Sequence, residues 1–209
     1  MLKIKKLVVG QLQTNCYVVF DNLIKKALII DPGDDADYIA RSISDLELEP
    51  EAIVATHGHF DHILAATELK LNYKIPFLIH KADEFLLKRM RSSAKHFAGI
   101  KADPPPKVDR YLQDKEKLVI GHLSFDIMHT PGHTPGSISL YARDHKALFV
   151  GDTLFAQGAV GRTDFSYSDK DELGRSINKL LAKGGGAAIY PGHGDKTKNS
   201  DVQKYLKLV

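Results

Sequence analysis

The sequence predicts one α/β domain that spans residues 1–209, and three observations support this class. Short apolar and β-branched runs, which are typical of strands, alternate with stretches whose apolar residues recur at helical spacing. The 209 residues, of which 43% are hydrophobic, suffice to bury the core of one such domain. Several predicted strands end in a glycine-containing turn that carries histidine or aspartate. We therefore expect a compact fold with a polar site at its strand ends.

The first half of the chain predicts a three-stranded antiparallel meander that is followed by alternating helices and strands. Its strands are predicted at Leu2–Val9, Cys16–Phe20, Ala27–Ile30, Ala52–Ala55 and Phe77–Ile79. Its helices are predicted around Tyr38–Leu46 after a cap at Asp34 or Asp35, from the histidine-rich segment through Leu69, and at Ala82–Phe97.

The second half begins after an extended loop at Pro104-Pro105-Pro106, where the ring of proline prevents a continuous helix. Two hairpins and a last strand are predicted at Leu118–Ile120 with Leu123–Met128, Ser137–Tyr141 with Ala147–Val150, and Ala187–Tyr190. Helices are predicted near Asp171–Leu181 and at about Asp201–Leu208.

The densest group of polar residues is the segment Thr56-His57-Gly58-His59-Phe60-Asp61-His62, which directly follows an apolar strand. Imidazole and carboxylate are ligands that zinc, iron and manganese bind, and four of them fall within six residues here. The alternative is a polar loop whose histidines bond the neighbouring backbone. The spacing favours a metal site.

Three more turns repeat this placement, because predicted strands also run into His133, Asp152 and His193. Strand ends on the same edge of a sheet can converge, and glycine beside each ligand lets the backbones approach closely. Together the turns offer five histidines and two aspartates, which exceeds the need of one tetrahedral ion and suits two ions that share a carboxylate.

Composition limits the compartment and the partners. The net charge is only +3 and both signs are mixed along the chain, so we expect no nucleic-acid partner. The single cysteine, Cys16, excludes an intrachain disulfide framework, and no apolar run has the length of a signal peptide core or a membrane span. We expect a cytoplasmic protein without a membrane partner, and the oligomeric state is not predicted.

The motifs resemble those of the metallo-β-lactamase superfamily, namely the Thr56–His62 segment, Pro131-Gly132-His133, Gly151-Asp152 and Gly192-His193. Four motifs in this order along nearly the whole chain make coincidence improbable. The resemblance implies a four-layer αββα sandwich with the metals at one edge. This expectation agrees with the alternation of strands and helices.

Within the superfamily the chain is most similar to the glyoxalase II (hydroxyacylglutathione hydrolase) group, particularly its short bacterial members. The matching stretches are Leu12–Tyr17, Asp31-Pro32-Gly33, Thr130–Gly136 and Gly151–Phe155. The resemblance implies two divalent ions, with zinc expected and iron or manganese as alternatives. It also implies that one ion is held by His57, His59 and His133, the other by Asp61, His62 and His193, and that Asp152 bridges them.

The resemblance implies hydrolysis of a glutathione-linked small-molecule thioester, most simply S-D-lactoylglutathione, as in methylglyoxal detoxification. Arg162 stands where the group has a basic residue that contacts the glutathione carboxylate, whereas Asp164 replaces the tyrosine that usually follows it. The chain ends soon after His193, so we expect no helical C-terminal glutathione domain.

We expect a hydroxide shared by the two ions to attack the acyl carbon, with Asp61 as the catalytic residue that orients it or accepts its proton. A persulfide dioxygenase with one iron is the alternative reaction class, and a lactone hydrolase would need the same ligands. A metal-free binding or scaffold protein is the alternative outside enzymes.

Other polar residues are expected to be structural. The remaining histidines do not have ligand spacing, although His129 leads into the His133 motif: His80, His96, His122, His129 and His145. Thr56 and Thr134 are expected to bond local backbone. For Arg162, contact with a substrate carboxylate and an ion pair with Asp164 remain equal alternatives.

Overall fold

The structure is a computed structural model that describes residues 1–183 and 185–206. The strands in this part of the chain are β1 (Leu2–Val9), β2 (Thr14–Asp21), β3 (Lys26–Ile30), β4 (Glu49–Val54), β5 (Phe77–Ile79), β6 (Arg110–Tyr111), β7 (Lys117–Ile120), β8 (Leu123–His129), β9 (Ile138–Ala142), β10 (Ala147–Gly151), β11 (Ala188–Pro191) and β12 (Thr197–Lys198). The α-helices are α1 (Ala36–Asp45), α2 (Ala66–Tyr73), α3 (Glu84–Ala98), α4 (Lys170–Lys183) and α5 (Asn199–Leu206).

The strands form two six-stranded mixed sheets. The first sheet has the order β1-β2-β3-β4-β5-β6, in which the predicted meander is antiparallel and the later strands pair in parallel. The second has the order β12-β11-β10-β9-β8-β7, and its two predicted hairpins are antiparallel. Parallel pairing joins β10 to β11, because α4 crosses over between them.

The molecule has four layers, and an apolar cluster lies between each pair of adjacent layers. Along β2, Val18 packs toward helices α1–α3, whereas Val19 packs toward the second sheet, as the period of two in a strand requires. Likewise, Phe149 of β10 faces the first sheet and Leu148 packs with α4 and α5. The sandwich is therefore αββα, and the fold class expected from the sequence is confirmed.

The carboxyl ends of the strands that precede the ligand turns meet at one edge of the sandwich. Strands β8 and β10 are both antiparallel to β9, and β11 is parallel to β10, so these three run in the same direction. The histidine-rich turn instead follows β4 of the first sheet. The turns therefore do not all follow strands of one sheet, and the site forms between the edges of two stacked sheets.

Glycine allows the turns from the two sheets to come close. A Cβ atom on Gly192 would lie 2.2 Å from Asp152 Oδ1 and 2.7 Å from His62 Cε1. Gly151 has a φ of +52°, and a Cβ there would lie 2.3 Å from Thr56 Oγ1. Any side chain at these positions would therefore force the turns apart.

Two elements differ from the sequence predictions. Helix α2 begins at Ala66 rather than in the histidine-rich segment, where only Phe60–His62 forms a single 3-10 turn. The backbone N–H groups of Thr56 and Gly58 bond distant carboxylates there instead of forming a helix. Strands β6 and β12, with two residues each, were not predicted because such short strands have no periodic pattern.

The C-terminal helix also differs from its prediction, since it begins at Asn199. The predicted end at Leu208 lies outside the described residues. None of the helices within the described ranges is long and apolar enough to cross a membrane. The single-domain organisation, the cytoplasmic location and the absence of nucleic-acid and membrane partners stay predictions.

Candidate metal centre

Three of the predicted ligands form a compact group of imidazoles. His57 Nε2 lies 3.1 Å from His59 Nδ1, and His133 Nε2 lies 3.0 Å from the same atom. Nitrogen atoms about 2.0–2.1 Å from a tetrahedral zinc ion are separated by roughly 3.3 Å. The three nitrogens could therefore surround one ion, and we call these residues the three-histidine group.

A second group of donors lies beside the first. His193 Nε2 is 3.3 Å from Asp61 Oδ2, and His62 Nε2 is 3.7 Å from the same oxygen. These three residues also could hold a metal ion, and we call them the mixed group. The residues that the sequence predicted as ligands of the second ion are thus brought together.

Asp152 lies between the two groups. Its Oδ1 is 3.5 Å from His62 Nε2, whereas its Oδ2 is 3.8 Å from His133 Nε2 and 3.6 Å from His193 Nε2. The carboxylate therefore has one ligand of the three-histidine group and two of the mixed group within reach. This position suits a carboxylate that is shared by two cations.

Two buried atoms of the cluster support the presence of a cation. His62 Nε2 and Asp152 Oδ1 are buried and have no hydrogen-bond partner among the described residues. Leaving such atoms unpaired costs about 1–3 kcal/mol each. Both are electron-pair donors that point toward the same cluster, so the donor set fits divalent metal ions.

The electrostatics of the cluster favour neutral imidazoles at His57 and His59. Burial and the neighbouring imidazoles lower the pKa of His57 well below its usual value and that of His59 to about 3. Burial also opposes charge on His62, but Asp152, Asp61 and Asp31 raise its pKa well above the usual value. Despite burial, His62 and His193 hold the pKa of Asp152 below its usual value. The carboxylates of Asp61 and Asp152 therefore favour a positive charge beside His62, which a bound cation would supply.

In four of the five histidines of the cluster, the ring nitrogen that faces away from it has a partner. His57 Nδ1 lies 3.1 Å from Thr56 Oγ1, His62 Nδ1 lies 3.0 Å from Asp31 Oδ2 and His133 Nδ1 lies 2.8 Å from the carbonyl oxygen of Arg162. His59 has the opposite orientation. Its Nδ1 faces the cluster, and its Nε2 lies 2.9 Å from the hydroxyl of Tyr167. Such partners orient the rings and select the nitrogen that is left for a metal.

Asp31 is a functional residue that the sequence reasoning missed. It is buried, and its carboxylate accepts hydrogen bonds of 2.7 Å from the backbone N–H and the hydroxyl of Thr56, besides contacting His62. The expectation that Thr56 bonds local backbone was therefore wrong. Asp31 follows strand β3, so the pattern of polar residues at strand ends could have identified it.

Asp83 is a second missed residue, and it joins the two turns that carry the three-histidine group. Its carboxylate accepts from the N–H of Gly58 at 2.8 Å, the hydroxyl of Thr134 at 2.7 Å and the N–H of Gly136 at 2.6 Å. Burial raises the pKa of Asp83, and these hydrogen bonds oppose the rise. The expectation for Thr134 was also wrong, because its hydroxyl bonds this carboxylate and Ser137.

The His193 turn is held by strand β2. The backbone N–H of Asn15 donates to the carbonyl of Gly192 at 2.7 Å, and its side-chain amide donates to the carbonyls of Pro191 and Gly194 at 2.9 Å. The hydroxyl of Tyr17 also donates to Pro191 at 2.7 Å. These bonds cross from the first sheet to the second and position the His193 imidazole.

The cluster lies at the base of a cleft of about 770 Å³. Arg162 lines this cleft, and its guanidinium forms a two-bond ion pair with Asp164, at 2.9 and 2.6 Å. The ion pair is thus present, and substrate contact by Arg162 stays a prediction. The remaining histidines lie apart from the cluster; His80, for example, stacks on His129 at 4.3 Å.

An αββα sandwich with a histidine and aspartate cluster at its strand ends defines a class of metal-dependent hydrolases. The chain belongs to the metallo-beta-lactamase superfamily, because the sequence model of that family matches residues 9–193. The resemblance expected from the motifs is thereby confirmed at the level of the superfamily.

Individual relatives agree with this assignment over almost the full length. Hydroxyacylglutathione hydrolase GloC of Haemophilus influenzae is 36% identical over 204 residues, which cover 94% of this chain and 92% of the relative. The crystal structure of BLEG-1 B3 metallo-beta-lactamase has a TM-score of 0.89 and 34% identity, with 97% of each chain covered. The structure of TTHA1623 in a di-iron-bound form has a TM-score of 0.85 and 30% identity, with 96% of each chain covered.

Proposed function

We propose that this member of the superfamily hydrolyses a thioester, and that a hydroxyacyl-glutathione such as S-D-lactoylglutathione is a substrate. The observation that carries the proposal is the position of Asp152 between two adjacent groups of metal donors at the base of an open cleft. The relative named hydroxyacylglutathione hydrolase supports the choice of thioester.

The three-histidine group would hold one divalent ion, the mixed group a second, and Asp152 would be shared. We propose zinc, because imidazole and carboxylate are its usual ligands, with iron and manganese as alternatives that the same donors accept. The related protein TTHA1623 has been crystallised in a di-iron-bound form, which shows that a similar fold accepts iron.

When bound, two such ions would lower the pKa of a water from near 16 to about 7 and would polarise the acyl carbonyl. The chain itself would then have to place the thioester and accept a proton. Asp61 suits the second task, since its side chain lines the cleft and its Oδ2 lies 3.4 Å from the Thr14 hydroxyl and 3.3 Å from His193 Nε2. Cys16, the single cysteine, is fully buried and therefore is not placed to act as a nucleophile.

Replacing Asp61 with asparagine is expected to lower kcat about 100-fold with little change in KM. Asparagine keeps the size of the side chain but accepts a proton far less readily than a carboxylate. Steady-state kinetics with the metal content measured in the same sample would check this result. Full turnover with the wild-type metal content would exclude a proton-accepting role for Asp61.

The function is tested by metal analysis of the purified protein, followed by hydrolysis assays. We expect two ions per chain and release of free thiol from S-D-lactoylglutathione. One iron per chain with oxygen consumption on a persulfide would overturn the proposal in favour of the dioxygenase. Cleavage of lactones but of no thioester by the two-metal protein would overturn it in favour of lactone hydrolysis.

A further inference from the structure

The mouth of the cleft is formed by apolar side chains that come from three distant segments. Leu12, Phe97 and Val160 lie in the β1–β2 turn, in α3 and in the loop after β10, and they are 45%, 59% and 44% exposed. Isolated apolar residues on a surface are common. Several that gather around a single opening instead indicate a surface that a ligand covers.

The apolar surface continues inward toward the metal cluster. The ring of Phe97 stacks on that of Phe60 at 6.4 Å with an interplanar angle of 4°. Phe165 and Tyr167, which also line the cleft, stack at 5.3 Å, and Phe165 packs edge-on against His59 of the three-histidine group at 5.2 Å. Aromatic side chains therefore line the cleft both beside a metal donor and at its exposed mouth, where an apolar group could contact them.

Apart from the proposed metal ions, the side chains that line the cleft offer little positive charge to an anionic ligand. Among the residues that the structure describes, Arg162 is the one lysine or arginine that lines the cleft, and Asp195 adds a negative charge to the lining. The guanidinium of Arg162 is paired with Asp164 and also lies over the ring of Phe165 at 4.7 Å. A substrate carboxylate would have to displace Asp164 before it could form a two-bond pair.

We propose that the cleft selects thioesters with an extended apolar arm of several carbons, and that Asp164 reduces its affinity for carboxylate-bearing ligands. The arm is an alkyl or aryl group on either side of the thioester sulfur. This inference rests on the proposed function, because the thioester would be cleaved at the metal donors that lie at the base of this cleft. Glutathione thioesters with a large acyl group would satisfy it better than lactoylglutathione.

Binding of non-hydrolysable thioethers tests this proposal independently of catalysis. The probes are S-methyl, S-butyl and S-octyl derivatives of glutathione and of the uncharged thiol N-acetylcysteamine, titrated calorimetrically into the metal-loaded protein. We expect Kd to fall by about two- to fourfold per methylene in both series, as expected for burial of apolar surface. A Kd that is independent of chain length would overturn the inference.

Variants locate the binding surface. Leu12→Ser and Phe97→Ser are expected to weaken S-octyl binding several-fold, whereas Leu71→Ser should not, because Leu71 is 69% exposed on α2 and does not line the cleft. Asp164→Asn is expected to strengthen binding of the glutathione series by several-fold and to leave the N-acetylcysteamine series unchanged. Equal responses of the two series to Asp164→Asn would contradict the role of the ion pair.

Hydrolysis of matched thioesters then shows which side of the sulfur carries the arm. If octanoyl N-acetylcysteamine is hydrolysed faster than acetyl N-acetylcysteamine, the apolar arm lies on the acyl side. If S-octyl thioacetate is hydrolysed faster than S-methyl thioacetate, the arm lies on the thiol side. Chain-length-dependent binding without hydrolysis of any thioester would support the apolar cleft and overturn only the proposed reaction. Hydrolysis with no preference for length on either side would overturn only the apolar arm.

Discussion

Replacing Asp152 with asparagine is expected to lower thioester hydrolysis by about a thousandfold, the largest loss that we predict for a change of one atom. The two carboxylate oxygens point to His62 on one side and to His133 and His193 on the other. In asparagine one oxygen becomes an NH2 group, which donates hydrogen bonds and binds no metal. The variant should therefore bind fewer than two ions per chain.

Metal content and kcat/KM, measured on the same preparation, check this expectation. Asp144→Asn is the matched control, since Asp144 is exposed in the turn between β9 and β10 and lies outside the cleft. The control should keep both values. An Asp152→Asn protein with two tightly bound ions and wild-type hydrolysis would show that Asp152 is not shared between metals.

Replacing Asp83 with asparagine is expected to destabilise the protein by about 3 kcal/mol, because the buried carboxylate of Asp83 accepts three hydrogen bonds. Two of its donors are backbone N–H groups, and the amide NH2 would face at least one donor. Gly58 lies between His57 and His59, and Thr134 and Gly136 follow His133. We therefore also expect the affinity of the three-histidine group for metal to fall about 10–100-fold.

Chemical denaturation and competitive metal titration separate the two effects. Asp109→Asn is the control, because Asp109 also accepts a backbone N–H bond, from Phe77 at 2.7 Å, but contacts no residue near the cluster. It should lower stability without changing metal affinity. If Asp83→Asn lowered stability while both ions remained bound with unchanged affinity, its carboxylate would have only a structural role.

Asp31 and Asp83 differ in whether a local sequence pattern could have identified them as part of the site. Asp31 directly follows strand β3, as the predicted ligands follow their strands, so the same pattern contained it. Asp83 lies four residues beyond β5, in a 3-10 turn before α3, and looks like an ordinary helix-capping aspartate. Its role depends on contacts with residues 25 and 53 positions away, which no local pattern reports.

The contacts of the residues that line the cleft likewise could not be decided from the sequence, and Arg162 is an example. Its position in the chain predicted either a carboxylate contact or an ion pair, and the structure shows the ion pair with Asp164. The apolar mouth was not predicted, because Leu12, Phe97 and Val160 lie far apart in sequence. Each would be read alone as an unremarkable surface residue.

The sequence by itself determined the alternation of strands and helices and the set of candidate ligands, and the resemblance of its motifs to the superfamily implied the αββα layers. The strand period, the helix period and the spacing of His57–His62 are all properties of neighbouring residues. Only the tertiary structure decided that the ligand turns come from two sheets, that Asp31 and Asp83 hold them, and that the cleft is apolar. Those features arise where distant segments pack together, and the free energy of such contacts depends on three-dimensional distance rather than on separation along the chain.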